Sequence, residues 1–519
     1  VLKSSKDDTS SYKKYVREYK NEKSREAKRE LQKFIRDVKN DFRKEITNND
    51  PKKIKLAKSK GELQGLLDNY EMFELNKKEL KIRKDKQKRL EVEISKLTAE
   101  IEELKNSSIF KNAFEWRFEF PEVLNEAGVF EGFDVVIGNP PFINANELKK
   151  SLPEATYKMM KNNYETAKGA ADLFIYFFEK GLLLLKKGGQ LNLITPNRYL
   201  SASYGESLRE YLFKHSKINE IIDYSHVRVF KEASTYPVVT SLTLRQAEGE
   251  IYFINIGKYD DSKSQIDFKT VDSKKLNFLE SYIWGYLLNE KMEITEKVIN
   301  NSISICECAL INATSTASEA DDYHYLINET AGFKLINTGT IDRYEALWGS
   351  KHLIDKGEKY LTPFLPRNDK RLSRNRNSLY NSPKIILAKI ALTTEAFYDL
   401  NGEFASINTN CFHSFKNDFD PKYILAWLNS KLFQYTFECF FEGLKMQGGY
   451  LLYSAPNISK MYIKKITLED QKPIINLVEQ ILKSKQQGMD SAHFENEVDR
   501  MIYELYEITP EEQKIIEEE

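Results

Sequence analysis

The sequence predicts an α/β protein: part of a Rossmann-like, doubly wound sheet, with a helical coiled-coil region before it and an α+β domain after it. Three observations carry this prediction. Residues 1–110 are dense in charge, with 30 Lys/Arg against 21 Asp/Glu, and Pro51 is their only proline. Residues 111–250 alternate short apolar runs with helical stretches, the pattern of an open α/β sheet. Residues 331–465 hold short β-like runs broken by Gly, Asn and aromatic residues.

Taken in order, Leu31, Phe34, Ile35, Val38 and Phe42 recur at the spacing of one helical face. Leu80, Leu90, Ile94, Leu97, Ile101 and Leu104 fall largely at alternating three- and four-residue steps, as in a coiled-coil seam. Asn48-Asn49-Asp50-Pro51 separates the helices around it. Phe133–Gly138 is a short apolar run ending at a breaker, which predicts a buried parallel strand. A helix is expected over 170–187, stopped by Gly188-Gly189. A strand is expected over 190–195, a helix over 203–215, and strands over 218–224 and 238–245. Residues 251–330 read as a mixed connector. Strands follow at 333–337, 384–390 and 403–408, then one helix over 421–438 and two helices within 467–519.

Composition excludes several classes. Four cysteines in 519 residues make no disulfide framework, and no Cys/His set has zinc spacing, so no metal is expected. Sparse cysteine fits a reducing cytoplasm. The most apolar segment, 173–185, is interrupted by Glu179 and Lys180, so no membrane span is expected. No signal peptide is expected. A chain starting with Val suggests a piece of a longer protein.

The sharpest chemical feature is Asn139-Pro140-Pro141-Phe142, directly after the predicted strand. Ligands of open α/β sheets bind beyond the carboxyl ends of the strands. Two prolines fix φ and remove two N–H donors, which leaves a carboxamide, carbonyl oxygens and an aromatic ring facing outward. That set suits an exocyclic amine on a flat ring. The Asn139 side-chain oxygen and the Pro140 carbonyl each accept one N–H. Two such bonds push the amino nitrogen toward a pyramidal geometry with its lone pair exposed. Phe142 stacks on the ring. The competing reading is a plain turn, since Asn-Pro pairs initiate turns.

Gly138 to Phe142 resembles motif IV of the amino-methyltransferases, and the extended run Phe133 to Phe142 resembles γ-class DNA N6-adenine methyltransferases, most of all the methylase part of type IIG restriction–modification enzymes. The resemblance implies S-adenosylmethionine as methyl donor and a target adenine flipped out of duplex DNA. Residues 172–177 resemble motif V, which implies that Phe177 borders the cofactor; a core aromatic is the alternative. Residues 188–197 resemble motif VI. Val229-Phe230-Lys231 resembles motif VIII, which implies that Phe230 stacks on the flipped base; an ordinary buried Phe is the alternative. Pieces at 337–344, 386–390, 406–409, 428–432, 448–451 and 497–506 resemble the target-recognition domain of the same enzymes. The resemblance runs from Ala113 to the C-terminus.

Residues 331–465 carry 19 Lys/Arg against 12 Asp/Glu. Arg367, Lys370, Arg371, Arg374 and Arg376 cluster in a segment that can neutralise phosphates. Arg343, Lys389 and Tyr450 are candidates for reaching base edges; solvated surface charge is the alternative for each. The zero overall charge is thus a cancellation: +9 over 1–110, +7 over 331–465 and −16 elsewhere.

The pattern departs from the family upstream of Asn139. Glycines at 61, 65, 128, 132 and 138 form no Gly-x-Gly, and the preceding region is helical. The cofactor-binding half is therefore expected outside this chain, in a missing N-terminal part, with residues 1–110 an insertion. No nuclease signature of the P-D-x(n)-E-x-K kind is present. The domain reading is 1–110 helical, 111–250 the base-binding half of a methyltransferase, 251–330 connecting, 331–465 DNA target recognition and 466–519 C-terminal helices. The alternatives are a protein glutamine N5-methyltransferase, a non-catalytic DNA specificity subunit and a coiled-coil scaffold. The recognised DNA sequence, the oligomeric state and any DNA cleavage are not readable from these residues.

Overall fold

The computed structural model describes residues 6–48, 51–68, 77–106, 116–125, 129–230, 236–245, 251–289, 292–300, 302–446 and 448–518. The chain divides into two compact units. One holds Val1–Val136, Pro153–Lys158 and Leu183–Gly189; the other holds Ile137–Leu152, Met159–Leu182 and Gln190–Glu519.

The first unit is led by helices α1 (Lys6–Asn21), α2 (Arg25–Asn48), α3 (Pro51–Asp68) and α4 (Lys77–Asn106). Ile35 and Val38 of the α2 stripe pack on a small core of Tyr12, Val16 and Leu124. Phe34 meets Tyr15 with ring centroids 4.2 Å apart. Phe42, Leu80 and Leu104 lie outside the residues whose side chains are described. Pro51 opens α3, where its missing N–H costs nothing. Leu90, Leu97 and Ile101 of α4 are buried, and Lys55 of α3 pairs with Glu93 of α4 at 2.7 Å.

Six strands form the main sheet: β1 (Phe133–Gly138), β2 (Leu185–Pro196), β3 (Ser216–Asp223), β4 (Pro237–Leu244), β5 (Phe253–Asp260) and β6 (Gln265–Asp272). Their spatial order is β1-β2-β4-β3-β5-β6. The sheet is mixed, which departs from a plain doubly wound pattern. β4 runs antiparallel to both β2 and β3, while β3 and β5 are parallel. The reason is in the connection. A parallel return needs a crossover of a dozen or more residues, usually a helix. The β3–β4 link, residues 224–236, returns the chain antiparallel beside β3, with no helix among its described residues.

Three expectations change. Gly188-Gly189 does not end a helix: the helix stops at Leu183, and both glycines lie inside β2. Gly188 has φ +73°, and a Cβ on Gly189 would sit 2.8 Å from the Phe133 carbonyl oxygen, so these positions serve a close strand approach. β1 is an edge strand rather than a buried one, with Val135 53% and Ile137 79% exposed. The 251–330 connector supplies β5 and β6, which extend the sheet.

In the C-terminal half, Phe404–Ile407 runs parallel to Phe333–Asn337, and Phe364–Leu365 pairs on its other side. A second sheet joins Ala396–Asp399, Lys384–Ala388, Thr409–His413 and Leu310–Ala313, all antiparallel. The expected helix over 421–438 is two, Pro421–Leu428 and Lys431–Phe441. Asn429 breaks it by bonding the Ala396 backbone twice, at 3.0 and 2.9 Å. The final stretch forms three helices rather than two: Leu468–Gln486, Ala492–Leu505 and Pro510–Glu518.

Candidate catalytic edge and nucleic-acid interface

The Asn139–Phe142 turn leaves β1 at its carboxyl end. Pro140 is buried, whereas Asn139 and Pro141 are exposed and Phe142 is half-buried. The turn's exit is held by bonds from two directions. The Leu173 amide donates to the Ile143 carbonyl at 2.9 Å, and the Ala145 amide donates to Asp172 Oδ1 at 3.1 Å. Asn144 then caps the helix Ala145–Ser151, accepting from the amides of Asn146 at 3.1 Å and Glu147 at 3.0 Å. Burial raises the Asp172 carboxyl above the usual carboxylate range.

The structure brings Phe142 and Phe230 together, with centroids 5.8 Å apart and planes at 77°. Phe230 sits on the loop after β3. Asp223 shapes the start of that loop, accepting from the Ser225 amide at 2.8 Å and the Ser225 hydroxyl at 2.9 Å. The Tyr224 amide donates to the Pro237 carbonyl at 3.0 Å, which ties the loop to the start of β4. Lys231 lies outside the described residues. Phe177 is 42% exposed on the helix Leu173–Leu183, whose Phe174, Ile175, Tyr176 and Phe178 are buried. Phe177 is therefore not a core aromatic.

Several residues that sequence reasoning missed support this edge. Arg209 is fully buried and donates to the carbonyls of Tyr199, Ala202 and Ser281, so it clamps the loop after β2. The Ser201 hydroxyl donates to the Phe440 carbonyl at 2.5 Å, and the Trp284 amide donates to the Leu200 carbonyl at 2.8 Å. A Cβ on Gly443 would lie 3.2 Å from the Asn197 side chain, so that position is kept small by close packing. Thus the 440–443 segment is seated on the loop after β2. The signal for Arg209 was an arginine between Leu208 and Leu212 on the apolar helix face; Ser201 and Gly443 left none.

The predicted DNA contacts divide. Arg371 and Arg374 are exposed at or near the start of the helix Arg374–Tyr380, with Arg371 also bonding Asp369 at 3.1 Å. Arg367 is exposed, lies over the Phe333 ring at 4.4 Å and donates to Asn381 at 2.9 Å. Tyr450 is exposed beside Gly448 and Gly449, both at positive φ, and its carbonyl accepts from the Met446 amide at 2.7 Å. Lys389 is half-buried, with its backbone amide donating to Thr338 Oγ1 at 2.7 Å. Two arginines are engaged internally instead. Arg376 donates to Glu319 at 3.0 Å and to the Ala313 carbonyl at 2.7 Å. Arg343 donates to the Asn429 carbonyl and faces Glu495. Their charge is spent on holding the fold.

Among the described residues no His/Cys/Asp/Glu cluster could hold a metal, and no helix is long and apolar enough to cross a membrane. Burial pushes the Cys308 and Cys411 thiols up to about 12, which leaves them inert.

Residues 9–230 match the Eco57I restriction-modification methylase family, and residues 334–450 match the TaqI-like C-terminal specificity domain. The first match begins well before Ala113, so the helical region lies within it. Type II methyltransferase M.BstVI of Geobacillus stearothermophilus is 22% identical over 440 residues, 74% of this chain and 75% of the relative. The Escherichia coli type II restriction enzyme and methyltransferase RM.Eco57I is 30% identical over 104 residues, 20% of this chain and 10% of that protein. Type II methyltransferase M.HincII of Haemophilus influenzae is 33% identical over 146 residues, 27% of each chain. Among solved structures, the type IIL restriction-modification enzyme MmeI in complex with DNA aligns with a TM-score of 0.40 and 12% identity, over 72% of this chain and 54% of that one. The span shared with relatives thus ranges from a tenth to three quarters of their own length. A match to the Eco57I restriction-modification methylase family followed by a match to the TaqI-like specificity domain is thus what this chain shares with type II restriction–modification methyltransferases.

Proposed function

We propose that this chain supplies the base-binding half and the recognition domain of a site-specific DNA adenine-N6 methyltransferase of a restriction–modification system. The observation that carries the reading is the Asn139–Phe142 turn at the end of β1, with Phe142 and Phe230 converging beside it at 5.8 Å. The two rings touch edge to face, so a flipped base enters by stacking on one ring or by parting the pair. Asn139 and the Pro140 carbonyl then accept the two N–H bonds of the exocyclic amine. This orients the nitrogen lone pair outward; after transfer the nitrogen sheds one proton to solvent. Catalysis of this kind rests on positioning.

S-adenosylmethionine, when bound, supplies the electrophilic methyl group. The residues present fit the base better than this donor. No Gly-x-Gly turn precedes Asn139, and Phe177 is the one aromatic assigned to the donor here. We place the donor's main contacts on a further segment, outside these residues, that pairs with β1, the end strand of the sheet among the described residues. Duplex DNA is the partner, contacted through Arg367, Arg371, Arg374, Lys389 and Tyr450. We propose domains over 1–110, 111–250, 331–465 and 466–519, with the 251–330 stretch continuing the sheet of the second through β5 and β6, and place the enzyme in the cytoplasm.

The test is transfer of a tritiated methyl group to duplex DNA, with the chain in its full polypeptide context and the product base identified. N6-methyladenine is the expected product. Methyl-glutamine in a protein substrate, or DNA binding with no transfer, would instead favour the glutamine methyltransferase or the non-catalytic subunit.

A further inference from the structure

We propose that Asp172 is a positioning residue that fixes the working geometry of the Asn139–Phe142 turn; this rests on the methyltransferase reading. The turn is pinned at both ends. Its entry is the last residue of β1, held in the sheet, and its exit is Ile143–Ala145. Only five residues lie between Asn139 and Ala145, so the exit bonds set the aim of the Asn139 carboxamide and the Phe142 ring. Both exit bonds come from the same short stretch, the Leu173 amide and the Asp172 carboxylate.

Asp172 also stands where two other parts of the catalytic edge meet. The Tyr204 hydroxyl and the charge of Arg198 both act to lower the pKa of its carboxyl, and both residues belong to the loop after β2 that Arg209 clamps. The negative charge of Glu147, on the helix that follows the turn, acts on it in the opposite sense. The carboxyl is half-buried and accepts a hydrogen bond from the Ala145 amide at the exit of the turn. A group meant only for solubility would not sit there. Its one-methylene reach matches the 3.1 Å bond to the Ala145 amide; a longer side chain would push the loop outward.

The experiment compares Asp172→Ala, Asp172→Asn and Asp172→Glu in the full polypeptide, with two readouts. The first is steady-state methyl transfer. Asp172→Ala is expected to lower kcat about 10- to 100-fold, as a misplacement on the order of 1 Å costs about that much. The KM for DNA should stay within about threefold. Asp172→Asn keeps an acceptor oxygen for the Ala145 amide and should recover most of kcat. Asp172→Glu should lose kcat although its charge is kept. The second readout is hydrogen exchange over residues 139–148, expected to accelerate in Asp172→Ala and to be restored in Asp172→Asn. Faster exchange with unchanged kcat would overturn the positioning role, as would unchanged exchange or a kcat loss that Asp172→Asn does not recover. If the unmodified enzyme transfers no methyl group to adenine, the methyltransferase reading fails by itself, and the exchange readout still decides whether Asp172 pins the loop.

Discussion

The Asn139–Phe142 turn and the arginine-rich segment at 367–376 are both short, polar and conspicuous in the sequence, yet the fold treats them in opposite ways. The turn is anchored: a strand on one side, two bonds from Asp172 and Leu173 on the other, and a buried Pro140 between. The arginine segment is mostly open, with Arg371 and Arg374 exposed and only Arg376 drawn inward. On the proposed reading, the turn must hold one amine and needs preorganisation, whereas the arginine segment would neutralise phosphates by counterion release and tolerate side-chain freedom. The difference teaches that the effect of a mutation in this protein is set by how tightly the fold holds the residue, more than by its charge.

The largest expected effect is at Asn139. Asn139→Ala should reduce methyl transfer by about 10²–10³-fold, comparable with removing one preorganised hydrogen-bonding group elsewhere. DNA affinity measured by anisotropy should change little. Retained activity would erase the contrast with the arginine segment. Next is Phe142→Ala, expected to cost about 1–3 kcal/mol of base-stacking energy. Fluorescence of a 2-aminopurine placed at the target base reports it, as weaker flipping with protein stability unchanged.

Arg376→Ala should behave unlike its neighbours. It breaks a largely covered pair with Glu319 and leaves the Ala313 carbonyl without its donor, so urea denaturation should show a loss of about 1–2 kcal/mol. The salt dependence of DNA binding should not change. Arg374→Ala should do the reverse, with no stability loss and a salt slope smaller by about one. If the two arginines proved interchangeable, the division between anchored and open residues would fail.

Glu395 offers a pH test of an anchored acid. Burial first, and the charge of Asp342 second, push its carboxyl up to about 7. The folded-state value is thus raised above the unfolded one, so its stabilising contribution is present below about pH 4.5 and is lost as pH rises through about 7. Glu395→Gln should therefore stabilise the protein more at pH 8 than at pH 5, by about 1 kcal/mol after allowing for its partial exposure. Equal melting shifts at the two pH values would contradict this. Smallest of all, Arg371→Ala should weaken DNA binding by less than about 1 kcal/mol, because its guanidinium is already shared with Asp369.

Much of the architecture was legible in the residues. The strand before Asn139, the helical stripe of Leu31 to Val38 and the strand at 333–337 all follow from local periodicity, and each was found close to where it was expected. The reading erred where a local signal had a tertiary use. Gly188-Gly189 resembles a helix stop, but Gly188 takes a positive φ inside β2 and Gly189 is kept small because β1 passes within van der Waals reach. Asn429 sits in an unbroken helical pattern, and a bond to a distant strand divides the helix there. Arg343 and Arg376 look like surface charges in a basic segment, and only partners far along the chain show that they are spent.

The sequence by itself determined the chemistry at the edge of the sheet: an amide, two prolines and a phenylalanine after an apolar strand make a fixed set of acceptors beside a ring, whatever lies around them. Tertiary structure alone decided what aims that set. Asp172 lies 27 positions from Ala145, and Phe230 lies 88 from Phe142. No periodicity links residues so far apart. Their meeting is fixed by strand order and by which buried groups find hydrogen-bond partners, and those are properties of the folded chain.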